Sequence, residues 1–360
     1  MFKKILYCAF FVASVNQVAF AEDVQVVGTI QVKQPTQSLK KPSKFNLAST
    51  EYVALLKIAL SSDAKQAINN RIRSKQMHVS AKSIPSSQYP QYPQEIQLNM
   101  NGVPVLNQGS HGTCVTFATT AAVDAILGKG DYISQLCQLE LGRYLENNTY
   151  TSSGWDGSWG RIILSQMDVF GMVSKAYQRA NGCAGIKEYP LSGEEPTAEE
   201  SLVEFHQISE PLPKDQIAWS SIMEAYQVSS DQIDENDILM EVKKALNAGD
   251  RLTFGVLLLD FDQGAVGAVG SYHGKFDTWV LTPEIANDLN DQAEFAGHEM
   301  VITGYDDNAT AFDAQGRAYK GLLTLRNSWG SNVGDKGNFY MSYDYFKGLM
   351  LEVQRIRHLG

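Results

Sequence analysis

An amide side chain stands six residues ahead of a cysteine in Gln108-Gly109-Ser110-His111-Gly112-Thr113-Cys114. Behind that cysteine, Val115, Phe117, Ala118, Ala121, Ala122, Ala125 and Ile126 recur at three- and four-residue spacing. The pattern predicts a helix that buries one face and carries Cys114 in its first turn. A thiol there meets unpaired amides and the positive end of the helix dipole, which favour the anion, and the anion is the nucleophile. An amide just upstream can donate to the oxygen of a carbonyl under attack. Two further pieces lie far downstream: Gly297-His298-Glu299-Met300-Val301-Ile302-Thr303-Gly304-Tyr305 and Leu325-Arg326-Asn327-Ser328-Trp329-Gly330. A nucleophile, a base and a group to orient the base are the parts that acyl transfer needs.

The segment Val105-Leu106-Asn107-Gln108-Gly109-Ser110-His111-Gly112-Thr113-Cys114 resembles the nucleophile box of the papain-like cysteine peptidases, and Arg326-Asn327-Ser328-Trp329-Gly330 resembles their asparagine box. The order Cys, His, Asn is also theirs. The likeness runs from about residue 95 to residue 350, roughly seven tenths of the chain, although between the boxes only the order of elements agrees. It implies Cys114 as nucleophile, His298 as base, Asn327 holding the imidazole, and Trp329 covering that hydrogen bond. Gln108 and the Cys114 amide would form the oxyanion hole, and a thiolate–imidazolium pair would exist before substrate arrives. The pattern is not complete: Val115 replaces the usual aromatic after the nucleophile, His111 the usual cysteine three residues before it, and Val333 a tryptophan of the asparagine loop.

Each assignment has a plainer rival. Free cysteines are commonly small buried helix residues, but a Gly-rich amide loop does not usually precede those. His298 could be a satisfied core histidine at the head of an apolar strand, and His111, close to the nucleophile, reads as loop packing. The loop Ser152-Ser153-Gly154-Trp155-Asp156-Gly157-Ser158 would, by resemblance, place Gly157 against the substrate backbone; it also reads as an ordinary interhelix turn. Glu299 stands where the family usually has a small apolar residue bordering the pocket for the second substrate residue before the cleaved bond. There it would favour Lys or Arg. The alternative is that Glu299 pairs with a neighbour inside the protein.

Residues 1–21 read as a secretory signal: Lys3 and Lys4, an apolar run from Ile5 to Val15, then Ala19-Phe20-Ala21. That run is too short to span a bilayer. Export to the periplasm or the medium is therefore expected. The net charge is −10, and loss of two lysines with no acid takes it to −12, which argues against nucleic acid or anionic membrane as partner. No metal or phosphate motif competes, so no cofactor is expected, and the partners are protein or peptide substrates of a monomer. If Cys114 is the free catalytic thiol, as the resemblance implies, Cys137 and Cys183 remain as a pair that an oxidising compartment would join. The family often has a bridge nearby, at displaced positions.

The elements that must position these groups suggest an α+β fold: a helical subdomain, a β-rich subdomain and a cleft between them. An N-terminal extension over 22–90 precedes a peptidase domain over 91–360. Within the extension, the alternation from Val24 to Val32 predicts a strand or hairpin. Ser49-Thr50-Glu51 then caps a predicted helix through about residue 60, with Tyr52, Leu55, Leu56 and Ile58 apolar, and a second helix continues to about Lys75. The segment is either a propeptide lying across the cleft or a docked module, and a proline-punctuated linker over 84–93 follows it. Helices are expected over 131–147, 158–170 and 238–247, and strands over 251–259, 299–304, 321–327 and 338–342. The acidic insertion over 191–235, with Glu194, Glu195, Glu199, Glu200 and Glu204, reads as a solvated excursion. Two functions stay open: hydrolysis of peptide bonds, or a catalytically silent papain-fold protein that binds peptides or a partner.

Overall fold

The computed structural model of the chain describes residues 23–34, 52–78, 92–230, 233–289 and 295–359. The expected signal segment and most of the proline-punctuated linker lie outside these residues. In chain order the elements begin with β1 (Val24–Lys33), β2 (Tyr52–Leu60), α1 (Ser62–His78) and β3 (Glu95–Gln97). The helices α2 (Cys114–Leu127), α3 (Gln135–Asn147), α4 (Gly160–Phe170), α5 (Lys175–Asn181) and α6 (Leu202–Ile208) follow. Then come β4 (Ile217–Met223), α7 (Glu235–Asn247), β5 (Arg251–Leu258), β6 (Thr278–Trp279), α8 (Pro283–Asp288) and β7 (Phe295–Phe312). The chain closes with β8 (Ala318–Arg326), β9 (Asn338–Ser342), α9 (Tyr343–Leu349) and β10 (Met350–His358).

The fold is α+β, as the sequence indicates. One sheet carries the order β4-β10-β5-β7-β8-β9-β6, with β2 and β3 also paired to β7 and β1 paired to β2. The long strand β7 is its hub, and α2 packs against β7, β5 and β10. Helix α2 is buried nearly all round, every residue from Cys114 to Ala125 included. It is the buttress between the helical layer and the sheet. Gly128 ends it in the left-handed region, φ 66°, where glycine costs least. Cys137 and Cys183 form a disulfide, Cα–Cα 5.3 Å, inside a small core with Leu141, Leu145, Val173 and Phe205.

Two expectations are corrected. Residues 52–60 form strand β2, not a helix. Val53, Ala54, Leu55, Leu56 and Ile58 are all buried, so the run is apolar on both faces, the pattern of a covered strand rather than of a striped helix. The acidic stretch is also more than a solvated excursion. Ser201 and Glu204 form a capping box that starts α6, Phe205 enters the disulfide core, and β4 pairs antiparallel with β10. Several of its acids are engaged: Glu195 with Arg143, Glu199 with Asn147, and Glu200 accepting the Ala184 amide.

The N-terminal segment is built into the sheet. Strand β2 pairs antiparallel with β7 at Leu56↔Gly297, Lys57↔Ala296 and Ile58↔Phe295, one residue short of His298. Helix α1 buries Ala64, Ile68 and Ile72 and packs on α8 and α9. Its Arg71 donates to the carbonyls of Val228 and Met350, 2.7 and 3.2 Å away.

Candidate active site

Cys114 is the first residue of α2, and the residue before it, Thr113, makes no side-chain cap. The first-turn amides are therefore left for the thiol or a ligand. Thr113 instead bonds Tyr189, whose hydroxyl donates to the Gln108 carbonyl at 2.8 Å. The Gln108 amide side chain is held at both ends: Oε1 accepts from Ser328 Oγ at 2.8 Å, and Nε2 donates to the His111 carbonyl at 2.9 Å. That nitrogen has a second acceptor, the carbonyl oxygen of Ala54 in β2, at 3.3 Å.

His298 lies on β7, beside the strand β8 that leads into Asn327. Its Nε2 is 2.8 Å from Asn327 Oδ1, which also accepts the Ser328 amide at 2.7 Å. A carbonyl-type acceptor fixes the proton on Nε2. The other ring nitrogen, Nδ1, is buried with no hydrogen-bond partner. Trp329 stacks on the imidazole, centroids 4.5 Å apart and planes 25° off parallel. Beyond it lies a cavity of about 650 Å³ lined by Trp329, Val266, Phe276, Val333, Lys275 and Lys336 among others.

All these groups are covered. Cys114 and Gln108 are 0 % exposed, His298 1 %, Asn327 2 %. The cover is the β1–β2 hairpin. A Cβ at Gly157, whose φ is 106°, would come within 2.7 Å of Leu56 Cδ2 and Val26 Cγ1, and one at Gly112 within 2.5 Å of Thr29 Cγ2. Gln31 Nε2 donates to the Ser110 carbonyl at 2.9 Å. Burial has an electrostatic consequence. Desolvation pushes the Cys114 thiol up to about 12, against backbone hydrogen bonds from Glu299 and Val115 that favour the thiolate. Desolvation likewise takes His298 down to about 4, although Asn327 favours its charged form. Beneath the cover the neutral thiol and neutral imidazole are favoured, not the preformed ion pair expected from the resemblance.

The other sequence candidates fall as follows. His111 is 3 % exposed and sits edge-on to Trp155 and Tyr189, centroids 5.4 and 5.9 Å away, in the loop packing expected of it. Gly157 faces the hairpin. Glu299 is 1 % exposed and, instead of bordering the cleft, turns its carboxyl to Glu352 of β10. Ala54, Ser328, Tyr189 and Glu352 were not singled out from sequence; of these only Ser328, inside the asparagine box, carried a local signal.

Residues 220–358 match the model of the Peptidase C1-like family, and this stretch contains His298 and Asn327. By that match this part of the chain is similar to the Peptidase C1-like family. No curated protein sequence matches the chain. Among solved structures it is similar to xylellain, a cysteine protease of Xylella fastidiosa, at 19 % identity over 77 % of this chain and 90 % of that one, TM-score 0.46. It is similar to procathepsin L 3 of Tenebrio molitor larval midgut at 17 % identity, over 76 % and 71 % of the two chains, TM-score 0.45. For bromelain of Ananas comosus the identity is 17 %, over 74 % and 99 %, TM-score 0.42.

Proposed function

We propose that the protein is an exported peptidase that hydrolyses peptide bonds with Cys114 as nucleophile, and that it is held latent by its own N-terminal hairpin. The observation that carries this reading is the Gln108 Nε2 contact to the Ala54 carbonyl: a peptide carbonyl already lies on the side chain assigned to the oxyanion hole. With the hairpin displaced, His298 Nδ1 takes the thiol proton, Cys114 attacks the scissile carbonyl, and the oxyanion rests on Gln108 Nε2 and the Cys114 amide. The same imidazole then protonates the leaving amine, Asn327 keeps the ring oriented, and water releases the acid. The substrates are proteins or peptides. The expected signal segment and the Cys137–Cys183 disulfide favour the periplasm or the medium over a reducing cytosol.

The hairpin is a docked module that acts as a cover. Arg71 and the apolar face of α1 tie it to α9 and β10, while β2 fills the cleft. The competing reading, a silent peptide-binding protein, rests on the departures at Val115, His111 and Val333. Labelling with an epoxide that alkylates only activated thiols separates the two. A chain with a loosened hairpin should label at Cys114, and failure to label there, with the cleft shown open to a small neutral alkylating reagent, would leave only the binding reading.

A further inference from the structure

Strands β7, β5 and β10 lie side by side, and their register brings Glu299, Gly255 and Glu352 into one row. Because the middle residue has no side chain, the two carboxyls meet over it. A Cβ at Gly255 would stand 3.2 Å from Glu352 Cγ and 3.3 Å from Glu299 Oε2. Both acids are 1 % exposed, they hydrogen-bond each other, and neither forms an ion pair among the described residues. Two carboxylates cannot share such a place, since each would face both burial and a like charge.

We propose that Glu299 and Glu352 share one proton, carried on Glu299, and that through this clasp Glu299 is a positioning residue for Cys114. The division of charge follows from the neighbours. Glu352 Oε1 accepts the Gly160 amide at 2.7 Å, and Oε2 accepts from Gln354 Nε2 at 3.0 Å. Gly160 opens α4, which has no capping side chain of its own, so Glu352 reaches across from the sheet to supply a carboxylate where the helix dipole favours one. Glu299 has only the Thr253 hydroxyl as a donor from outside the pair, against an amide and a side-chain nitrogen on Glu352, and its Oε1 is buried without a partner. Proton on Glu299 and charge on Glu352 satisfies both. Burial and the neighbouring carboxylate hold Glu299 well above the ordinary carboxyl range.

The remaining groups facing the pair leave this assignment intact. From β5 come Thr253 and Gly255, neither charged. Beside β4, Ser221 links Gln354 to Glu224, and Glu224 is neutralised by Arg161 of α4 at 2.8 Å. The hairpin contributes Val24, over a cavity of about 30 Å³ that Glu352 lines. From α2 comes Cys114, whose sulfur takes a hydrogen bond from the Glu299 backbone amide. The side chain of Glu299 thus anchors the strand position that holds the thiol, and negative charge on the pair's Glu299 side raises the thiol.

The inference rests on Cys114 being the nucleophile, but its test needs no turnover. In the full chain, protons released on unfolding at neutral pH are counted for wild type, Glu299→Gln and Glu352→Gln. The wild type should release one more than Glu299→Gln; equal release would overturn the shared proton. The thiolate is then followed by its ultraviolet absorbance against Cys114→Ser. Glu299→Gln keeps the pair at one negative charge, so the thiol should titrate as in wild type. Glu352→Gln removes that charge and should lower the titration by about one pH unit, a tenfold gain in thiolate at fixed pH. A thiol unmoved by Glu352→Gln, or moved equally by both, would overturn the positioning role. A Cys114→Ala chain that still turned over would remove the nucleophile and leave the proton count standing.

Discussion

The side-chain nitrogen of Gln108 donates to the carbonyl of Ala54 at 3.3 Å, and these two residues tie the cleft to its cover. The contact sits where β2 extends the sheet past His298, so loosening β2 and opening the site are one event. Leu56 is the residue to change: it is 3 % exposed and packs over Gly157 and Gly297. Leu56→Asp would bury a carboxylate with no partner and forfeit about 1.5–3 kcal/mol of apolar burial. Expected is a rise in peptidase activity together with a lower hairpin protection in hydrogen exchange. An unchanged, low activity from a variant whose hairpin has demonstrably opened would count against latency.

Within the site the order of losses is the prediction. Cys114→Ala and His298→Ala in the Leu56→Asp background should abolish hydrolysis. Asn327→Ala and Gln108→Ala should leave a remainder, since orientation and a single oxyanion donor, about 3 kcal/mol, are partial contributions. Steady-state kinetics on one peptide substrate suffices. Full turnover by Cys114→Ala would end the nucleophile assignment, and a His111→Ala enzyme should behave as wild type in chemistry because that ring packs against Trp155 and Tyr189.

The candidate site was readable because each member sits in a short local context: a Gly-rich loop before a helix for Cys114, an apolar strand for His298, which the structure places fourth in β7 rather than at its head, and Asn-Ser-Trp for Asn327. What covers them was not. Tyr52-Val53-Ala54-Leu55-Leu56-Lys57-Ile58 is apolar without a clean period, and periodicity alone cannot tell a covered strand from a buried helix. The destination of Glu299 was equally hidden, because it depends on Gly255 and Glu352, which reach it only through sheet register. Adjacent strand residues point to opposite faces, so Glu299 is turned away from the ring of His298. It could not say that another acid would be waiting.

The Cys137–Cys183 bridge spans a sequence separation of 46, for which the chain-entropy estimate is about 4 kcal/mol. The bridge ties α3 to the loop after α5, away from Cys114, and shares its core with Phe205 of α6. Replacing both cysteines by alanine should therefore lower the unfolding midpoint strongly while changing kcat little in a loosened-hairpin background. Calorimetry beside kinetics measures both. A variant with native stability, or with activity lost in proportion to stability at a temperature where it is fully folded, would contradict this separation of roles.

Acid should open the cleft. Under the hairpin His298 titrates at about 4, against an ordinary value of 6.5 that it regains once water reaches the ring. Desolvation is the main cause, so the shift belongs to the covered state. The folded, covered form has the depressed pKa, and the uncovered form binds the extra proton between the two values. The contribution to the cover is thus fully present above pH 6.5 and is lost as pH falls through 4. Over that span it amounts to about 3 kcal/mol. Proton binding also converts the imidazole to the cation that stabilises a thiolate, so opening and activation run in the same direction. Incubation of the full chain near pH 4, followed by assay at higher pH against epoxide labelling at Cys114, should show labelling that rises steeply below pH 6. His298→Gln, which cannot take up the proton, should keep its hairpin protected over the same range in hydrogen exchange. Equal acid sensitivity of hairpin exchange in wild type and His298→Gln would assign the opening to some other group.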